Sequence, residues 1–148
     1  MFRRSYTTFG YSTLATTKTT VSPCELIEVT VVLTNTGSVE SDEVVQLYTR
    51  QPAATVPVPT IRLAAFARIK ALKPGANRTV TLSLAPEAHA VVRDGEASGE
   101  AVYTASASQW VEKGELHIFV GGGQPDYYPG HLSTVVKVLG ESALGACK

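Results

Sequence analysis

Charge of either sign is in short supply. Thirteen Lys and Arg balance thirteen Asp and Glu in 148 residues, so the formal net charge is zero and charged residues make up only 18% of the chain. No summed field exists to draw in phosphate backbones or anionic lipid, which argues against nucleic acid and membrane surfaces as partners. Long apolar runs are also missing: Val29–Leu33 and Ile61–Ala67 are interrupted by Thr or Arg, far short of the roughly 18 residues of a membrane span. At the start, Arg3 and Arg4 are followed by Ser, Tyr and Thr where a secretory signal would place an apolar segment, so no signal peptide is read and the compartment stays open. Cysteine is scarce. Cys24 and Cys147 allow at most one disulfide, and with Cys147 in a tail that is expected to fray, both are expected to be free thiols.

What the chain does have is hydrophobic residues, at 44%, enough for one folded domain that needs no staples. They are arranged with period two. In Glu25–Asn35, the residues Ile27, Val29, Val31 and Leu33 fall on one face and Glu28, Thr30 and Thr34 on the other, the pattern of a half-buried strand. Arg78–Leu84 repeats it, with Val80, Leu82 and Leu84 inward and Thr79, Thr81 and Ser83 outward. Glu43–Thr49, Ile61–Leu72, Glu115–Val120 and Leu132–Leu139 read as further strands, separated by turn chemistry such as Asn35-Thr36-Gly37 and Lys73-Pro74-Gly75. A helical reading competes only at the alanine-rich Ile61–Leu72 and at a short turn over Pro86–Val92. About seven short strands without covering helices predict an all-β protein, an immunoglobulin-like or fibronectin type III-like antiparallel β-sandwich. We expect residues 1–24 to be a lead-in carrying the first strand, 25–139 the sandwich and 140–148 a tail, with Glu96–Ser108 as a long loop.

Chemistry is thinly signalled. Hydrolytic chemistry on a carboxyl pair needs the two groups held close together across a cleft. Asp42 before a strand, Asp94 in a turn and Asp126 in a loop each read as structural, and Glu25, Glu28, Glu112 and Glu115 read as solvated edges or turn flanks. No catalytic residue is named. His89, His117 and His131 are scattered without metal-ligand spacing, no phosphate loop follows Gly121–Gly123, and no metal or cofactor is expected. Trp110 reads as core. Tyr127 and Tyr128, neighbours in a Pro-rich loop, are the candidates for contact with carbohydrate or a partner. Asn77-Arg78-Thr79 is an N-glycosylation sequon, usable only in a secretory pathway.

Several strings occur together and in order: SYTTFGYS at Ser5–Ser12, LTNTG at Leu33–Gly37, EVVQLYTRQP at Glu43–Pro52, Val-Pro-Val-Pro at Val56–Pro59, RLAAFARIKALKPG at Arg62–Gly75, VTLSL at Val80–Leu84 and WVEKGELHIFVGGGQP at Trp110–Pro125. The set resembles the C-terminal fibronectin type III-like domain of glycoside hydrolase family three, a family of β-glucosidases, β-xylosidases and α-arabinofuranosidases; the VGGGQP end looks more like the β-xylosidase branch. In that family, the resemblance implies, a barrel supplies an aspartate nucleophile and a second domain commonly a glutamate acid/base, and neither domain is in this chain. The family's lead-in string is replaced by Met1-Phe2-Arg3-Arg4, as if a longer protein had been entered partway, and Glu96–Ser108 is longer than the family's turn. The resemblance implies structural support for catalytic domains in cis or trans, in a parent hydrolase often secreted or associated with the cell wall. The alternative is a free-standing module that binds plant cell-wall polysaccharide or a protein partner.

Overall fold

The computed structural model describes residues 7–93, 109–128 and 130–147. The strands are β1 (Phe9–Thr16), β2 (Thr20–Val21), β3 (Ile27–Asn35), β4 (Ser41–Arg50), β5 (Arg62–Leu72), β6 (Asn77–Leu84), β7 (Val91–Val92), β8 (Gln109–Val111), β9 (Gly114–Gly121), β10 (Leu132–Val138) and β11 (Ser142–Ala143). They form a three-stranded sheet in the order β1-β3-β6, a five-stranded sheet in the order β2-β10-β9-β4-β5, and a small sheet β11-β8-β7. Among the described residues, only the short β2–β10 pair is parallel. This is the expected all-β sandwich. Ile61–Leu72, open to a helical reading, is strand from Arg62 onward; Pro86–His89 forms a short 3₁₀ turn. The expected loop Glu96–Ser108 lies outside the described residues.

The core follows from the alternation. Ile27, Val29, Val31 and Leu33 of β3 and Val80, Leu82 and Leu84 of β6 face Val45 and Leu47 of β4, Leu116, Ile118 and Val120 of β9, and Val136 and Val138 of β10. Each such aliphatic side chain contributes about 1.5–3 kcal/mol on leaving water, which is why register matters: a slip of one residue would turn these faces to solvent.

Polar side chains are built into this interior too, Asn35 the most extensively bonded. Asn35, fully buried, ends β3; its Nδ2 donates to the carbonyls of Val39 (2.9 Å) and Leu72 (2.8 Å). Its Oδ1 accepts from the Thr7 hydroxyl (2.8 Å) and the Gly37 N–H (3.0 Å). The Asn35 backbone pairs with the Lys73–Ala76 turn, accepting from Gly75 N–H and donating to Ala76 C=O. Gly75 stands at φ +77, a left-handed conformation that costs a residue with a Cβ about 1 kcal/mol or more. The Asn-Thr-Gly and Lys-Pro-Gly signals are thus two halves of one knot.

The cysteines are a correction. Cys24 and Cys147, expected as free thiols, are joined in a disulfide with Cα atoms 5.1 Å apart. The C-terminal residues do not fray because β11 pairs with β8 and carries Cys147 back to the turn after β2.

Candidate functional site

In a regular strand, residues three apart point to opposite faces. On β5, Leu63 and Phe66 point the same way because the ladder shifts: Leu47 pairs with Ala65 but Tyr48 pairs with Leu63, so Ala64 is bulged out. Both side chains are consequently turned to solvent, Leu63 at 49% and Phe66 at 67% exposure. A second bulge ends β5, where Ala71 adopts φ +51 and Asp42 holds it, accepting from the Ala71 N–H at 2.8 Å and from Arg68. The Arg68 hydrogen bond, with that N–H second, holds the Asp42 carboxyl below its usual range. Asp42 therefore lies inside β4, not ahead of a strand as expected, but its role is structural all the same.

The bulge creates an apolar strip on the outer face of the five-stranded sheet. Leu63 lies across from Tyr48, and Tyr48 across from Phe119. Phe66 lies across from Gln46, which accepts from the Tyr48 hydroxyl at 2.6 Å. Val135 of β10, paired with His117, extends the same face. At its far side Arg50 lies over the Phe119 ring at 5.1 Å, and His131 meets that ring edge-on with centroids 5.7 Å apart. Asp126 reaches Arg50 at 3.0 Å, so the loop between β9 and β10 is folded back against this face.

That loop separates the two candidate tyrosines. Tyr128 lies against the backbone of Gly122 and Gly123, where a Cβ on Gly123 would come within 2.3 Å of the ring; its exposure is 39%, against 79% for Tyr127. Tyr127 is thus the more exposed of the two rings.

A second polar cluster escaped the sequence reading. Glu112, expected as solvated, is buried. It accepts from the Thr55 N–H at 2.9 Å, from the Thr55 hydroxyl, and from Arg93 at 2.7 Å. Burial pushes its carboxyl up, but the Thr55 and Arg93 hydrogen bonds outweigh that and hold it below the usual range. Arg93 also pairs with Glu141 and lies 4.6 Å above the Trp110 ring. Trp110, expected as core, is half-buried beneath that guanidinium. The chemistry is that of a buried ion pair: Glu112 is kept ionised, the opposite of what a general acid requires. Only the residue types at Trp110 and Glu112 were readable; their partners arrive from Thr55 and Arg93, far away in sequence. Asp94 lies outside the described residues, while Asn77 is exposed at the start of β6.

Residues 43–124, more than half of the chain, match the fibronectin type III-like domain family. The chain belongs to that family. This fibronectin type III-like domain is 33% identical over 123 residues to thermostable beta-glucosidase B of Acetivibrio thermocellus, covering 82% of the domain and 15% of that protein. It is 43% identical over 83 residues to a beta-xylosidase of Formosa agariphila, covering 56% of the domain and 11% of that protein. Among solved structures it superposes on beta-glucosidase 3B of Thermotoga neapolitana, in complex with alpha-D-glucose, with TM-score 0.75 and 27% identity over 95% of the domain and 17% of that chain. The fibronectin type III-like domain thus spans about one sixth or less of the proteins it matches.

Proposed function

We propose that this domain is the non-catalytic fibronectin type III-like part of a family-three glycoside hydrolase, of the β-xylosidase or β-glucosidase kind, and that it supports the catalytic domains in cis through the outer face of its five-stranded sheet. One observation carries the choice of face: Leu63 and Phe66, brought to one face by the bulge in β5 and exposed there, continue the half-buried Tyr48 and Phe119 into one apolar strip. Apolar side chains gathered on a solvent face mark an interaction surface. The relatives support the setting, since each carries several times more chain than this domain covers. The function is mechanical: apolar area shared between domains stabilises both, and the ion pair at Arg50 fixes the loop at the rim.

Hydroxyl-radical footprinting of the whole hydrolase against the isolated domain tests this. Leu63, Phe66 and Tyr48 should be labelled several-fold less in the whole protein, with Val32 on the opposite sheet unchanged; equal labelling of Phe66 in both would remove the assignment. A second reading attaches to Tyr127, whose exposed ring is suited to stacking on a sugar. A flat tyrosine-fluorescence titration with xylo-oligosaccharides at millimolar concentration would dispose of it.

A further inference from the structure

We propose that Asn77 is an N-glycosylation site, occupied in a chain that matures in an oxidising secretory compartment, where the Cys24–Cys147 bridge also closes. The sequon Asn77-Arg78-Thr79 is common enough by chance to say little alone. The structure adds two independent observations. First, the cysteines are paired across 123 residues of sequence, and disulfides that persist belong to secreted, luminal or periplasmic proteins. Second, the sequon is presented as a modifying enzyme would need it. Asn77 and Thr79 are both exposed. They share the outer face of β6 with Thr81 and Ser83, while Val80, Leu82 and Leu84 alternate into the core. Asn77 is the first residue after the Lys73–Ala76 turn, which the Asn35 backbone pins from behind.

The surroundings suit a bulky hydrophilic adduct. Opposite Thr79, Thr81 and Ser83 on β3 lie Val32, Thr30 and Glu28, a surface that loses nothing on staying hydrated. Among the described residues β6 is the outer strand of the order β1-β3-β6, and an outer strand edge is a template for unwanted pairing that proteins commonly shield. A glycan at the first residue of β6 would shield it. The apolar strip lies on the other sheet, so a glycan here does not obstruct the surface assigned to domain packing.

The chemistry balances with two co-reactants. The glycan comes from a polyprenyl-diphosphate-linked oligosaccharide: Asn77 Nδ2 forms a bond to the sugar C1, the bond from C1 to the diphosphate oxygen breaks, and the amide gives up one proton as the lipid diphosphate departs. The disulfide forms by exchange with an oxidised dithiol catalyst, which is reduced as the two thiols lose two electrons and two protons. Synthesis order keeps the steps apart, since Asn77 emerges before Cys147 exists.

The test is peptide mapping of the protein isolated from its own host, with peptide-N-glycosidase digestion in heavy-oxygen water and no reductant. The expected result is conversion of Asn77 to an aspartate that carries heavy oxygen, together with a cross-linked peptide pair containing Cys24 and Cys147. Unlabelled Asn77 overturns the glycan, and alkylation of both cysteines without reductant overturns the oxidising compartment. In chain secreted from a eukaryotic host, Thr79→Ser should keep the glycan and Thr79→Ala should lose it while remaining folded; a glycan that survives Thr79→Ala places it elsewhere. None of these outcomes depends on which face packs against a catalytic domain.

Discussion

Across β3 and β6 the outward residues include Glu28, Thr30, Val32, Thr79, Thr81 and Ser83, whereas across β5, β4 and β9 the apolar Leu63, Phe66, Tyr48 and Phe119 stand outward among Gln46, Arg50, His117 and Arg68. The inward faces of the same strands are nearly alike, aliphatic throughout. Packing of the sandwich therefore explains the inside of both sheets and leaves the difference outside unexplained. Threonine on a pleated surface is stable in water because its branched Cβ fits the strand while its hydroxyl stays hydrated. Phenylalanine and leucine two-thirds and one-half exposed gain nothing there. The difference teaches that the fold needs two inner faces, while the five-stranded sheet carries an outer apolar strip that the fold itself does not need and that the proposed packing would bury.

The largest effect should come from charging that third face in the whole hydrolase. Leu63→Asp with Phe66→Asp removes two apolar side chains worth about 1.5–3 kcal/mol each if fully buried and puts carboxylates in their place. We expect the domain's unfolding, followed by calorimetry, to lose at least about 3 kcal/mol of coupling to the catalytic body. Thr34→Asp with Thr81→Asp, a double charge change on the polar sheet that avoids a directly opposed pair, should leave that coupling intact. Equal losses from both pairs would break the comparison.

The next effect is smaller, acts on the sandwich itself, and sets the conditions for the first. His89, in the 3₁₀ turn, is buried, and its Nε2 has no partner among the described residues. Burial, with the positive charge of Arg62 second, lowers its pKa from 6.5 to about 4, with Glu87 opposing. Between those pH values the unfolded chain binds a proton that the folded one refuses. Stability is thus complete above pH 6.5 and falls as the pH drops toward 4, by up to about 3 kcal/mol at 1.36 kcal/mol per pKa unit. Urea unfolding of the isolated domain at pH 7 and pH 5 should show the loss, and His89→Leu should flatten that part of the pH dependence. Measurements on either outer face belong above pH 6.5, where His89 contributes equally to every variant.

Much of this was readable from the chain, for a physical reason. Period-two alternation is a local property, so Ile27 to Leu33 and Val80 to Leu84 declare their inward faces without knowledge of the partner strand. The apolar strip was not readable, because Leu63 and Phe66 share a face only through the bulge at Ala64, and that depends on how β4 pairs with β5. The disulfide was hidden for the same kind of reason: β11 and the turn after β2 meet only once the sheets have formed. Glu112 looks like any strand-flanking glutamate until Thr55 and Arg93 are folded around it. Tyr127 and Tyr128 were legible as a pair in sequence but not as one packed against glycines and one free. For the strip, the disulfide and Glu112 the missing information was long-range pairing, which residue types alone do not encode; for the tyrosines it was the conformation of their own loop.

The smallest effect decides what the exposed strip is for. In the isolated domain, Phe66→Asp and Thr81→Asp should each change stability by no more than about 0.5 kcal/mol, as surface substitutions away from special features do. Phe66 sits across from Gln46, and a cross-strand pair of that kind is worth only a few tenths of a kcal/mol. Near-equality in the isolated domain, set against a large inequality in the whole hydrolase, would locate the value of Phe66 outside the domain that carries it. A loss above about 1 kcal/mol for Phe66→Asp in the isolated domain, twice that surface ceiling, would mean that the ring serves its own sheet. The bulge at Ala64 would then be a device for strengthening the β4–β5 pair, and the outer face would lose its claim to a partner.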